Sequence, residues 1–248
     1  PVEKLGVDAA ILFADILLIV QPMGLHLEFV KGEGPLISNP VRSMSDVDRL
    51  RSVDAYSDLG HVMQAVKLVR EALSPIVPLI GFAGAPFTVA SYMIEGGPSK
   101  DFIRTKTMMY ASTETWQAFM EKISLSLINY LKGQVEAGAQ AIQLFDSWVG
   151  ALSPQDYERY VLPYSSQVLH AVQAMGVPVI HFGTGTVTLL QPMKQAGGTV
   201  IGLDWRVPLD RGWELLGNDA IIQGNLDPVA LLSPIPVIKE KVKDVLQR

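Results

Sequence analysis

Cysteine is absent from this 248-residue chain. Disulfides, thiolate nucleophiles and sulfur-ligated zinc sites are excluded with it. Histidine is scarce, at four residues, and none falls into a His-x-His or His-Glu-x-x-His spacing that would hold a metal. Charged residues make up 18% of the chain and the net charge is −5. Such a balance gives no basic face for nucleic acid, although a few local cations are enough to hold an anionic ligand. No apolar run reaches the roughly 20 residues that span a bilayer. The first seven residues carry charges and no apolar core, unlike a secretory leader. The expectation is a soluble, cytoplasmic protein with no membrane or nucleic-acid partner.

What is present is apolar. Hydrophobic residues reach 48%, enough for a buried sheet and a sizeable core. Six short apolar runs read as buried strands: Ala9–Leu17, Val77–Phe82, Ala141–Phe145, Val177–Phe182, Thr199–Asp204 and Ala220–Gly224. Segments of helical period lie between them. Leu59, Val62, Met63, Val66, Val69 and Leu73 form one stripe. Trp116, Phe119, Met120, Ile123, Leu127, Leu131 and Val135 form another, stopped by Gly138. Ser153-Pro154 is a helix start, serine as N-cap and proline at the first helical position; that helix is expected to run to Gly176. Shorter helices are expected around Leu189–Ala196 and Pro236–Leu246.

Strand–helix alternation implies a parallel sheet with right-handed crossovers. No linker or composition break divides the chain, so residues 1–248 read as a single domain. A doubly wound nucleotide-binding sheet would show a glycine-rich turn after its first strand, and Asp15-Ile16-Leu17-Leu18-Ile19 contains none. Polar residues instead recur at strand ends: Asp15, Asp146 with Ser147, His181, Asp204, and Asn225 with Asp227. Contributions from many strand ends are the habit of the (β/α)8 TIM barrel. The expectation is such a barrel with about six of its eight units, short of one unit at each end.

Asp15 is the oddity of the first apolar run. A carboxylate there costs free energy to desolvate unless it is paired or used. It either caps the next turn, pairs with an arginine, or faces a ligand pocket. Gly81-Phe82-Ala83-Gly84-Ala85-Pro86-Phe87 reads as a glycine-rich loop that lets backbone approach a ligand, with Pro86 opening a helix. Tyr92 lies on that helix, either packing or aiming its hydroxyl into the pocket. Ser147 lacks the glycines of a nucleophile elbow and reads as a hydrogen-bonding group. His26, His61 and His170 fall in surface contexts, and His181 reads as a satisfied buried histidine. Asp204 and Asp227 are either acid/base groups or residues that fix loops and caps.

Seven segments, in order, carry a resemblance: Asp8–Leu17, Gly32–Pro35, Pro78–Thr88, Tyr92–Gly97, Gly138–Ser147, Gly202–Trp205 and Gln223–Pro228. Together they resemble the uroporphyrinogen decarboxylases of the haem pathway. The resemblance implies a (β/α)8 barrel, a homodimer, and cofactor-free, metal-free decarboxylation of the four acetate side chains of uroporphyrinogen to give coproporphyrinogen. It also implies roles. Asp15 would sit under the macrocycle and stabilise a protonated pyrrole, and Tyr92 and Ser147 would contact the substrate. Ile11, Phe13, Phe82 and Phe145 would supply an apolar, low-dielectric setting. The family's arginine-rich substrate-binding segment would precede Pro1, and a histidine in a Gly-His-Gly segment would follow Arg248. The 248 residues alone are therefore expected to be inactive, with open edges at the first and last strands. Gly183–Thr186 departs from many relatives and is expected to matter little chemically. Two rivals share the fold: a corrinoid-dependent methyltransferase, which needs a cysteine and histidine zinc site, and a non-catalytic barrel, which needs no buried carboxylate.

Overall fold

The structure is a computed structural model and describes residues 2–32 and 34–248. In chain order the strands are β1 (Ala10–Ile11), β2 (Leu27–Val30), β3 (Gly34–Ile37), β4 (Leu79–Gly84), β5 (Ala141–Asp146), β6 (Val179–Gly183), β7 (Val200–Gly202) and β8 (Ile222–Gln223). The helices are α1 (Val2–Leu5), α2 (Met44–Arg49), α3 (Gly60–Ala72), α4 (Pro86–Glu95), α5 (Ile103–Ala111), α6 (Thr113–Glu136), α7 (Pro154–Tyr160), α8 (Leu162–Gln173), α9 (Leu190–Ala196), α10 (Leu209–Leu216) and α11 (Ile235–Gln247).

Six strands form one sheet in the order β1-β4-β5-β6-β7-β8, every pairing parallel. This is the strand succession of a partial (β/α)8 barrel, with β1 and β8 at its edges. The two faces differ as the pleat requires. Leu79, Ala83, Ile142, Leu144, Val179 and His181 point to the helix layer and are buried. On the opposite face Phe82, Gln143 and Ile180 are buried while Ile80, Phe145 and Phe182 are only half-buried. The main core lies between sheet and helices, around Phe87, Trp116, Phe119, Leu127 and Tyr157. The Trp116 indole N–H donates to the Tyr160 carbonyl at 2.9 Å, the partner a buried indole requires.

The local signals placed most helices correctly. Pro86 opens α4. The Ser153 hydroxyl accepts the Asp156 N–H at the start of α7. The helix expected from Ser153 to Gly176 is in fact two, α7 and α8, broken at Val161 where Pro163 follows in the first turn of α8. The first strand is a larger correction. Regular pairing ends at Ile11 rather than continuing to Leu17, and the last backbone bond to the sheet is Leu12 N–H to the Ile80 carbonyl, 3.2 Å. Residues 12–15 leave the sheet and residues 16–24 form turns.

The glycine-rich stretch is corrected too. Gly81 and Gly84 belong to β4 and face the packing of the chain itself. A Cβ on Gly81 would stand 2.6 Å from Gln134 Oε1, and one on Gly84 would stand 2.8 Å from Val89 Cγ2. These glycines admit a helix and a side chain, not a ligand. The β2–β3 hairpin pairs antiparallel, with Leu27 opposite Ile37.

Candidate active site

Asp15 stands in the segment that leaves the sheet, half-buried. Its Oδ1 accepts the Leu17 N–H at 2.7 Å, so it does cap the following turn. Among the described residues no cation pairs with it. The charge of Asp15 is felt at Tyr92. Burial of the Tyr92 hydroxyl pushes its pKa above 10; a hydrogen bond with Trp148 opposes this, and the Asp15 charge adds to the rise. The Tyr92 ring lies 5.9 Å from that of Trp148, the residue after Ser147.

Beside this group runs a succession of phenyl rings. Phe13 stacks on Phe82 with centroids 5.6 Å apart and planes 5° apart. Phe82 meets Phe145 edge to face at 5.9 Å, and Phe145 meets Phe182 at 5.8 Å. Three strands and the segment after β1 thus build one aromatic wall on the open face of the sheet. Phe182 belongs to it and was not singled out from sequence; its pairing register with Phe145 is a long-range fact. The low-dielectric expectation needs correcting for two members. Ile11 is 41% exposed and Phe13 74% exposed, β1 being an edge strand and Phe13 having one ring neighbour among the described residues.

Ser147 lies at the end of β5 and lines a cavity of about 610 Å³ with Trp148, Thr184, Gly185, Lys100 and Arg206. Its carbonyl accepts the Thr184 hydroxyl at 2.5 Å. The Gly183–Thr186 loop, expected to matter little, therefore forms a wall of the cavity. Asp204 fixes that loop: Oδ2 accepts the Gly185 N–H at 2.5 Å and the Arg206 guanidinium at 2.8 Å. Asp227 caps the next turn by accepting the Val229 N–H at 2.9 Å. The loop-fixing reading of both aspartates holds. Lys100 and Arg206 were missed in the sequence, where neither sits in a recognisable pattern. Arg206 also stacks over Trp205, 4.5 Å from the ring centroid.

Asp146 and His181 point away from the cavity, into the helix layer, although both fall among the polar residues near strand ends. Both are fully buried, with His181 Nε2 3.8 Å from Asp146 Oδ2. Neither ring nitrogen of His181 has a hydrogen-bond partner among the described residues, so the histidine is buried but not satisfied. Burial and the Asp146 charge push the neighbouring Tyr157 hydroxyl well above 10, with Ser165 opposing. His26, His61 and His170 lie on the surface. Among the described residues no three His, Asp or Glu side chains gather as a metal site would require, and no helix is long and apolar enough to cross a membrane.

Comparison with known proteins shows the family of the chain. The profile of the family described as Uroporphyrinogen decarboxylase (URO-D) matches residues 1–248. Similar curated proteins carry that name. The one from Carboxydothermus hydrogenoformans is 54% identical over 246 residues, which is 99% of this chain and 70% of the relative. That from Sorangium cellulosum is 53% identical over 244 residues, 98% and 70% of the two chains. That from Solibacter usitatus is 51% identical over 248 residues, 100% and 72%. Among solved structures, a methyltransferase from Methanosarcina mazei superposes with a TM-score of 0.80 at 22% identity, over 99% of this chain and 73% of that one. A B12-independent methionine synthase from Shewanella superposes with a TM-score of 0.59 at 11% identity, over the same shares. At those identities the structural likeness speaks for the fold alone. The profile match over the whole chain and the identity above 50% place this chain in the uroporphyrinogen decarboxylase family.

Proposed function

We propose that this chain is the catalytic part of a carboxy-lyase of tetrapyrrole biosynthesis, which converts the four acetate side chains of uroporphyrinogen to methyl groups and releases four carbon dioxide molecules. The observation that carries the reading is the family match over all 248 residues. The geometry supports a division of labour. A proton adds to a pyrrole carbon, and the ring becomes a cation that draws in the electron pair of the breaking carbon–carboxylate bond. Carbon dioxide leaves, and a second proton completes the methyl group as the ring returns its first. Asp15, fixed through its bond from Leu17, is the negative charge placed to stabilise that cation. The phenyl wall of Phe13, Phe82, Phe145 and Phe182 takes the flat apolar body of a pyrrole ring, and its less exposed members Phe82, Phe145 and Phe182 lower the dielectric of the site. Ile11 borders the same edge of the sheet. Tyr92 stays a neutral donor beside Asp15. Ser147, with Lys100 and Arg206 in its cavity, meets side-chain carboxylates.

We read the protein further as one barrel domain working as a cytoplasmic homodimer, a reading supported by the family. Incubating the gene product that contains this chain with uroporphyrinogen and no added cofactor is expected to yield coproporphyrinogen and four equivalents of carbon dioxide. A protein that instead moves a methyl group from a corrinoid, or that binds tetrapyrrole without releasing carbon dioxide, would overturn it.

A further inference from the structure

One hydroxyl ties together the two elements that carry the site. Thr88, on α4, donates from Oγ1 to Asp146 Oδ1 at 2.9 Å. The same oxygen accepts the Trp148 N–H at 3.2 Å. Thr88 and Asp146 are both 0% exposed, so water does not compete for either bond. Thr88 precedes Tyr92 by one turn of α4, which places the two on one face of the helix. Asp146 is the last residue of β5 and Ser147 follows it. The Ala85 N–H donates to the Phe145 carbonyl at 2.8 Å and closes the same junction from the backbone side. The link therefore sets the helix bearing Tyr92 against the turn bearing Ser147 and Trp148.

We propose that Thr88 and Asp146 are positioning residues, a buried clamp that holds Tyr92 and Ser147 in one geometry for the substrate. The inference rests on the functional reading of those two groups given above. The physical argument is that a buried hydroxyl used as donor and acceptor at once has no rotational freedom left. Both partners lie at the end of β5 and in its turn while Thr88 lies on α4, so removing the hydroxyl frees a relative shift of α4 and the β5 turn. A displacement of about 1 Å at a reacting geometry costs up to roughly a hundredfold in rate. Asp146 touches the site only through Thr88 and the chain, since its carboxylate points into the helix layer against His181.

The test uses Thr88→Val, which keeps shape and loses both bonds, and Thr88→Ser, which keeps them. T88V is expected to lower kcat by roughly tenfold to a hundredfold with KM changed by less than about threefold, and T88S to stay near wild type. Combined with Tyr92→Phe, T88V should cost less than the product of the two single effects, because it acts through Tyr92. T88V at wild-type kcat, T88S falling as far as T88V, or multiplicative effects with Y92F would each overturn the clamp. T88V also leaves a buried carboxylate without its donor. Should that variant not fold, the pair T88V/D146L removes both partners together and is expected to show the same loss of kcat. Amide exchange gives a readout independent of turnover: in either variant the Trp148 N–H should exchange at least about tenfold faster while the amides of β6 keep their protection. Unchanged protection at Trp148 would refute the clamp even if the wild type released no carbon dioxide, a result that would separately refute the functional reading.

Discussion

Asp15 shows both the reach and the limit of reading single residues. Its oddity in an apolar run was legible, because a carboxylate among Ile11, Leu12, Phe13 and Ile16 costs desolvation. Its conformation was not: the segment leaves the sheet at Leu12, and periodicity says nothing about where an edge strand peels away. Tyr92 carries a prediction at this scale. Its hydroxyl is held above its ordinary pKa by burial, with Asp15 adding to the effect. The folded protein therefore keeps that proton at pH values where the unfolded chain loses it. Stability is unaffected by Tyr92 below pH 10 and falls as pH rises above 10. Ultraviolet titration of tyrosinate should show Tyr92 ionising later than an exposed tyrosine, and replacing Asp15 by Asn should move that step down. A Tyr92 step that stays put in D15N would mean the two groups do not interact.

Helices and central strands were legible as elements because burial of a whole face writes a period into the sequence. What failed was the meaning of glycine. Gly81 and Gly84 looked like a ligand loop and are instead the places where Gln134 and Val89 press onto β4. Gln134 is 2% exposed. Its amide accepts the Phe82 N–H at 3.0 Å and donates to the Phe82 carbonyl at 2.9 Å. It thus takes the ladder position that β1 vacates after Leu12, and this frees residues 12–15 to set Phe13 and Asp15 over the site. No sequence pattern marks such a residue, since a glutamine on a helix is ordinarily surface. Gln134→Leu leaves both backbone groups of Phe82 unpaired, at roughly 1–3 kcal/mol for each. Urea unfolding should show a loss of roughly 2–4 kcal/mol, and a change below about 1 kcal/mol would mean that water or another group replaces the amide. The β2–β3 hairpin was not read from the sequence although Phe29-Val30-Lys31-Gly32 before Gly34-Pro35 is a hairpin signal.

At the scale of the whole molecule the core is unequal. One cluster runs from Leu17 to Ala196, and a separate smaller one holds Ile201, Leu203, Val207, Leu209 and Leu216. Helix α11 has no buried residue, and Leu231, Leu232 and Leu246 stand more than half exposed. Opening free energy follows buried apolar contact. Amides of β4, β5 and β6 are therefore expected to exchange slowest, those of β7 and β8 faster, and those of α11 fastest. Uniform protection across the six strands would show one cooperative unit instead. The barrel class was legible at this scale because polar residues recur at five of the six strand ends along the chain. The outward direction of Asp146 and His181 was not, since a polar residue near the end of a strand can face either layer.

The central claim is that the fixed charge of Asp15 stabilises a cationic pyrrole. The most direct test is carbon dioxide release from uroporphyrinogen by the Asp15→Asn variant, which keeps the shape and an acceptor oxygen for the Leu17 N–H while removing the charge. The account predicts a fall in kcat of at least about a hundredfold with the thermal midpoint within a few degrees of wild type. Turnover within about threefold of wild type in a folded D15N protein would contradict it.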